Sequence, residues 1–263
     1  MKSVVKFLVL ALALAIFAPL SAFAADKKII VGATPFPHAD ILKIVKPLLA
    51  KEGYDLEVKE FNDYVTPNIA LNDGSLTANF FQHVPYLDDQ VKEHKYAIEW
   101  VAKVHIEPIG LYSSKVKGVK EIKDGSTIAV PNDPTNGARA LRLLEKTGLI
   151  KVKAGELVTA KDITSNPKKL KIVELEAPQL PRSLPDVEAA VINTNFAIEG
   201  GLNPTKDALF IEDKDSPYSN VLVVRTADKN KPEIKALVKA INSPEVKKYI
   251  VNDLAAKGIV PAF

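Results

Sequence analysis

The sequence of 263 residues contains no cysteine. That absence excludes disulfides, so stability has to come from an ordinary apolar core. It also excludes a cysteine nucleophile and a lipid attached through a processed cysteine. Basic and acidic residues are nearly balanced, Lys+Arg 35 against Asp+Glu 32, and they are interspersed with no block of one sign. Nucleic acid and anionic membrane surfaces therefore have no electrostatic footprint here. Internal repeats and low-complexity linkers are absent as well.

Familiar catalytic signatures are also lacking. The chain has no Gly-x-Ser-x-Gly elbow, no Gly-x-x-x-x-Gly-Lys phosphate loop and no His-Glu-x-x-His pair. Its four histidines, His38, His83, His94 and His105, do not fall at ligand spacing, so no metal site and no cofactor is expected. An exported enzyme with His83 or His105 as base would need a carboxylate or nucleophile partner that the spacing does not supply. The composition suits a binding protein, not a catalyst.

What is present begins at the N-terminus, MKSVVKFLVLALALAIFAPLSAFAADKK. Lys2 and Lys6 flank an apolar run from Phe7 to Leu20, which ends in Ala22-Phe23-Ala24. These are the three parts of a secretory signal peptide, with cleavage expected after Ala24. The run is shorter than the ~20 apolar residues a spanning helix needs. Without a cysteine at the processing site, the expected product is a soluble periplasmic protein that is not lipid-anchored.

The remaining length suits one large or two small domains. KKIIVGATP reads as a buried strand, and Ile41, Leu42, Ile44, Val45, Leu48 and Leu49 recur at helical spacing before Gly53. DLEVKEFN alternates as a strand, residues 65–71 form a short helix, LTANFFQ is a strand, and Pro85 opens another helix. This βαβαβα order predicts an open, largely parallel sheet. WVAKVHIEPIGLYSS is a long strand interrupted by Pro108, after which a second α/β series runs to residue 221. SNVLVVR and two terminal helices then return to the first unit. The expected division is a signal peptide at 1–24, one lobe from 25–108 with 222–263, and a second from 109–221. Ligands of such architectures bind at the carboxyl ends of the strands, between the lobes.

Two stretches point into that cleft. In NFFQHVPYL, side chains alternate along the strand, so Phe81 and His83 share one face and Phe80 and Gln82 the other. One phenylalanine can wall the cleft with Tyr86 while the other packs the core; the bland alternative is that both rings are core. In VPNDPTNGARALRLLEKTG, Asn132 or Asp133 caps a helix with Pro134 in its first turn. Asn136 and Arg139 then lie near its positive end, where a guanidinium fork and helix donors suit a carboxylate. Asn193 follows an apolar strand and Asn220 lies at the second crossing, although asparagine after a strand is most often a turn former.

ANFFQHVPYL, VPNDPTNGARALRLLEKTGL, AAVINTNFA and EDKDSPYSNVLVVR, in this order, resemble the NlpA/MetQ-type family of methionine-binding proteins of bacterial ABC importers. The likeness covers the chain from KIIVGATP to the final helices. It implies an α/β, two-lobed periplasmic-binding-protein fold, each lobe a mixed sheet flanked by helices, joined by two crossings. It further implies a monomer that binds methionine, L-methionine first, and delivers it to a permease and ATPase complex in the inner membrane. Carried over by position, Tyr64, Phe81, His83 and Tyr86, with Phe80 beside them, would surround the ligand side chain. Arg139, with Asn136, would hold the α-carboxylate, and Asn193 and Asn220 the head group. Most members carry a cysteine after the signal peptide, where this sequence has Ala22-Phe23-Ala24-Ala25. The alternative ligand is another small amino acid, a dipeptide or a sulfonate, bound by the same fold.

Overall fold

The computed structural model describes residues 27–263; the expected signal peptide lies outside them. Strand β1 (Lys27–Ala33) leads into helix α1 (Asp40–Lys51), which buries Ile41, Leu42, Val45 and Leu49, the stripe its helical spacing predicts. Then follow β2 (Tyr54–Glu60), α2 (Thr66–Asn72), β3 (Ala78–His83), α3 (Val84–His94) and β4 (Ile98–Ile106). β1, β2 and β3 are parallel, as the alternating pattern requires.

The chain then crosses into a second sheet. Strands β5 (Gly110–Tyr112) and β6 (Thr127–Pro131) precede α4 (Pro134–Lys146) and a small antiparallel pair, β7 (Lys151–Val152) with β8 (Ile163–Ser165). Next come β9 (Lys171–Leu175), α5 (Leu180–Ser183), β10 (Ala189–Ile192), α6 (Thr194–Glu199), α7 (Pro204–Asp207) and β11 (Ala208–Ile211). Their order across the sheet is β11-β5-β10-β6-β9. β12 (Ser219–Arg225) returns to the first sheet, followed by α8 (Pro232–Ile241), α9 (Pro244–Tyr249) and the short β13 (Val260–Pro261).

The first sheet runs β13-β4-β12-β3-β1-β2, with β12 antiparallel to both β3 and β4. Both sheets are therefore mixed, and the fold is α/β and two-lobed. The expected largely parallel sheet holds only for β1, β2 and β3, because the returning β12 inserts between β3 and β4. Each sheet has its own apolar core, one around Ile29, Leu42, Phe80 and Leu237, another around Leu111, Val130, Leu144 and Val191. Among the described residues no helix is long and apolar enough to cross a membrane.

The expected long strand through Pro108 is two strands in different sheets. Proline has no N–H to give a ladder, and the carbonyls of this crossing bond outside any sheet. The Glu107 carbonyl accepts from Arg139 at 2.8 Å, and the Pro108 carbonyl accepts from the Thr194 hydroxyl. At Gly137, a Cβ would lie 3.0 Å from the Pro131 carbonyl. A side chain there would push the first turn of α4 off β6.

Candidate functional site

Between the two sheets lies a narrow cavity lined by residues of both. Tyr64, Phe81, Gln82, His83 and Tyr86 line it from the first sheet and its helices, and Asn136, Arg139, Asn193, Thr194 and Asn195 from the second. His38, Glu107 and Asn220 close the end nearest the crossings.

The ring wall is built at the end of β3 and the start of α3. Phe81 and His83 face the cavity, and Pro85 starts α3 so that Tyr86 turns back beside them. Tyr64 lies 6.0 Å from Phe81, 6.0 Å from Tyr86 and 5.0 Å from Phe196, centroid to centroid. The Tyr86 hydroxyl donates to the Tyr64 carbonyl at 2.8 Å, and the Tyr64 hydroxyl donates across the cleft to Asn195 Oδ1 at 2.6 Å. Phe80 needs correction. It is fully buried in the first core, edge-on to His38 at 4.6 Å and His105 at 5.4 Å, and does not line the cavity. The register of β3 against β12 shifts at Phe81, between Gln82 and Phe80, so Phe81, Gln82 and His83 reach the cavity while Phe80 stays in the core.

Gln82 is held by an amide network. Its Nε2 donates to Asn68 Oδ1 at 2.7 Å and Asn79 Oδ1 at 3.0 Å, while Asn68 Nδ2 donates to Gln82 Oε1 at 2.9 Å. These groups are buried, and each bond removes a desolvation cost of about 1–3 kcal/mol. The network pins α2, and with it Tyr64, to β3.

On the opposite side Asp133 is the cap of α4: its carboxylate accepts from the Asn136 N–H at 2.8 Å. Asn136 Nδ2 also donates to both Asp133 oxygens, at 3.1 and 3.0 Å. With its donors spent, Asn136 turns its oxygen to Asn193 Nδ2 at 2.9 Å and His83 Nε2 at 3.0 Å. It is a junction between the sheets, not a free donor beside Arg139. Asn193 Oδ1 and Asn195 Nδ2 are buried in the cavity wall without a protein partner. Such atoms suit a polar ligand, because leaving them unmatched is costly.

Arg139 lines the cavity from one turn further along α4 and is buried. Its Nε donates to Glu212 Oε1 at 3.0 Å, Nη2 donates to Glu212 Oε2, and the Tyr218 ring lies 4.0 Å from Cζ.

The sequence did not reveal the polar end by the crossings. His38 Nε2 lies 3.1 Å from Asn220 Oδ1 and 3.4 Å from Glu107 Oε1; His105 Nε2 lies 2.7 Å from that same oxygen. His38 Nδ1 is 2.7 Å from the Thr34 hydroxyl. Burial lowers His38 to about 4 and His105 to about 3, and raises Glu107 above the usual carboxylate range. His83 is lowered to about 3, first by burial and then by the Arg139 charge. His38, His105 and Glu107 offer metal-ligating atoms within 4.8 Å of one another, a grouping that spacing along the chain does not reveal. Hydrogen bonds among themselves and to Thr34 and Asn220 already engage the ring nitrogens facing Glu107 and Asn220. His38, Gln82, Glu107, Thr194 and Asn195 are thus lining residues that sequence reasoning missed. The usable signal was a carboxylate directly before Pro108 in an apolar run, and the second amide in Asn193-Thr194-Asn195.

Comparison with known proteins places this geometry. The model of the NlpA lipoprotein family matches residues 29–263. The D-methionine-binding lipoprotein MetQ of Salmonella typhimurium is 52% identical over 222 residues, covering 83% of this chain and 81% of that protein. Outer membrane lipoprotein 3 of Mannheimia haemolytica is 49% identical over 247 residues, 92% of this chain and 94% of its own. Among solved structures, a nutrient binding protein from Burkholderia cenocepacia bound to methionine superposes with a TM-score of 0.86 at 50% identity, covering 89% of this chain and 100% of that one.

These names correct one expectation. The sequence reads as a soluble protein without a lipid anchor, whereas the relatives are lipoproteins by name, which points to lipid anchoring. The cysteine count speaks only to thioether chemistry at a cysteine of these residues, and the leader lies outside the described ones.

Proposed function

The chain belongs to the NlpA lipoprotein family, and from that premise we propose that it is the solute-binding protein of an ABC importer, with methionine as its ligand. The reading rests on one observation: the cavity between the sheets has aromatic rings along one wall and a buried guanidinium and carboxylate on others. Phe81, Tyr64, Tyr86 and His83 surround the thioether. Sulfur–aromatic contacts contribute ~0.3–1.5 kcal/mol each, and each buried methylene ~0.8 kcal/mol. Arg139 receives the α-carboxylate, Glu107 the ammonium, and Asn193 and Asn220 the rest of the head group. A charged head group is too costly to bury without such partners.

The lobes are residues 27–108 with 219–263, and residues 109–218, because β12 belongs to the first sheet. The protein acts as a monomer, not as an enzyme. Ligand held from both sides brings the lobes together by bending at the crossings near Pro108 and Asn220, and the closed form delivers methionine to the permease and ATPase complex. Titration calorimetry on refolded, ligand-stripped protein tests this with L-methionine and D-methionine separately. Binding by either at micromolar concentration supports the reading. No heat and no thermal shift at millimolar concentration of both would end it, and mass spectrometry of the ligand released on denaturation would then name the true solute.

A further inference from the structure

Arg139 is committed along most of its donor edge by the protein itself. Nε donates to Glu212 Oε1 at 3.0 Å, and Nη2 donates to Glu212 Oε2 and to the Glu107 carbonyl at 2.8 Å. Tyr218 covers one face of the guanidinium and meets the His83 ring at 5.0 Å. Nη1 is the group left to meet a ligand in the cavity that Arg139 lines.

Glu212 is not a loose surface acid. It follows β11 at the start of the second crossing, and its side chain is 9% exposed. Its backbone N–H donates to the Ile109 carbonyl at 2.9 Å, and the Ile109 N–H lies 3.4 Å from its Oε2. Backbone bonds to the first crossing therefore set its position, independently of Arg139.

The charge balance gives this pair a consequence. Among the described residues Arg139 is the only lysine or arginine lining the cavity, and Glu107 already lines it with a carboxylate. The lining histidines His38 and His83 are kept neutral by burial. With Glu212 offsetting Arg139, no positive charge is in surplus. A simple anion entering would add negative charge in a desolvated space, where like charges are poorly screened. A zwitterion brings an ammonium for Glu107 together with its carboxylate.

We propose that Glu212 is a specificity-determining residue: by pairing with Arg139 it makes the cavity accept a ligand that carries an ammonium beside its carboxylate and refuse a simple anion. The proposal rests on the amino-acid reading above and adds the basis for excluding carboxylates and sulfonates that lack the amine. Selectivity of this kind is a difference between two affinities, built partly by repulsion.

The test uses the full protein and 4-(methylthio)butanoate, which is methionine with the ammonium replaced by hydrogen. Wild type should bind L-methionine at least ~100-fold more tightly than this anion. Glu212→Gln, which keeps the shape but removes the charge and one of the two accepting oxygens, should bind the anion at least ~10-fold more tightly than wild type does. Glu212→Asp, which keeps the charge, should retain wild-type exclusion. An unchanged affinity of Glu212→Gln for the anion overturns the proposal, whatever methionine does. Failure of wild type to bind methionine sinks the amino-acid reading instead, while the anion comparison still decides the role of Glu212. Should Glu212→Gln not fold, wild type is titrated with methionine amide, which carries the ammonium alone. A wild-type preference for the anion over this cation equally overturns the proposal, and the reverse preference supports it.

Discussion

His83 Nε2 lies 3.0 Å from Asn136 Oδ1, a bond that ties the end of β3 to the first turn of α4 across the cleft. Its direction follows from its neighbours. The Tyr86 backbone N–H donates to His83 Nδ1 at 3.1 Å, so Nδ1 is the acceptor and Nε2 carries the proton. Asn136 presents its oxygen because its Nδ2 is spent on Asp133. One capping carboxylate thus sets the tautomer of a histidine on the other sheet.

A pH dependence follows from this arrangement. His83 is lowered to about 3 in the folded chain from its ordinary 6.5. The unfolded chain therefore binds the proton first, and His83 contributes stability in full above about pH 6.5, losing it as pH falls toward 3. Between pH 6.5 and 5 the loss from this one group should be about 2 kcal/mol. Urea melts at successive pH values measure it, and the slope should be shallower in His83→Gln. An identical slope in the variant would assign the dependence to His38 and His105, both also lowered by burial.

Phe80 and Phe81 should separate stability from affinity. Phe80→Leu disturbs the first core and should lower stability by about 1–3 kcal/mol while leaving methionine affinity within a factor of two. Phe81→Leu removes a cavity ring and should weaken binding about fivefold, near 1 kcal/mol. Thermal melts and calorimetry on the two variants decide between them, and equal effects on binding would contradict the face assignment.

Arg139→Ala should damage both properties. It removes the proposed carboxylate partner and leaves Glu212 buried without its cation, a situation that costs about 3–5 kcal/mol. Methionine binding should fall at least ~100-fold, and the melting temperature should drop. A variant with normal affinity would exclude Arg139 from the ligand site.

The Tyr64–Asn195 bond spans the cleft at 2.6 Å. Tyr64→Phe keeps the ring and removes this bond, which should cost about 1 kcal/mol and appear as roughly fivefold faster methionine release in stopped flow. Unchanged release would show that the bond does not hold the closed form.

Much of the fold was legible because it depends on local pattern. The apolar stripe of α1, the turn residues after α2 and the prolines opening α3 and α4 all act within a few residues, and each expected element is found there. The break at Pro108 was visible, but its meaning was not: one apparent strand belongs to two sheets because the backbone groups of Glu107–Ile109 bond to Arg139, Thr194 and Glu212. The short strands β7, β8, β11 and β13 carry little periodicity and left no signal. At the site, Phe81, His83, Tyr86, Asn136, Arg139, Asn193 and Asn220 were placed by motif or strand end, and all line the cavity. Phe80 was misjudged because a resemblance between motifs does not say which way a strand faces.

The sequence by itself determined the balanced charge and the two α/β series, since each depends on composition or on neighbours in the chain. Tertiary structure alone decided that Glu212 meets Arg139, that Glu107 lies between His38 and His105, and that Asn136 faces His83. These partners are separated by as many as 73 positions. Only the pairing of distant strands brings them together, and burial then makes each of those contacts count.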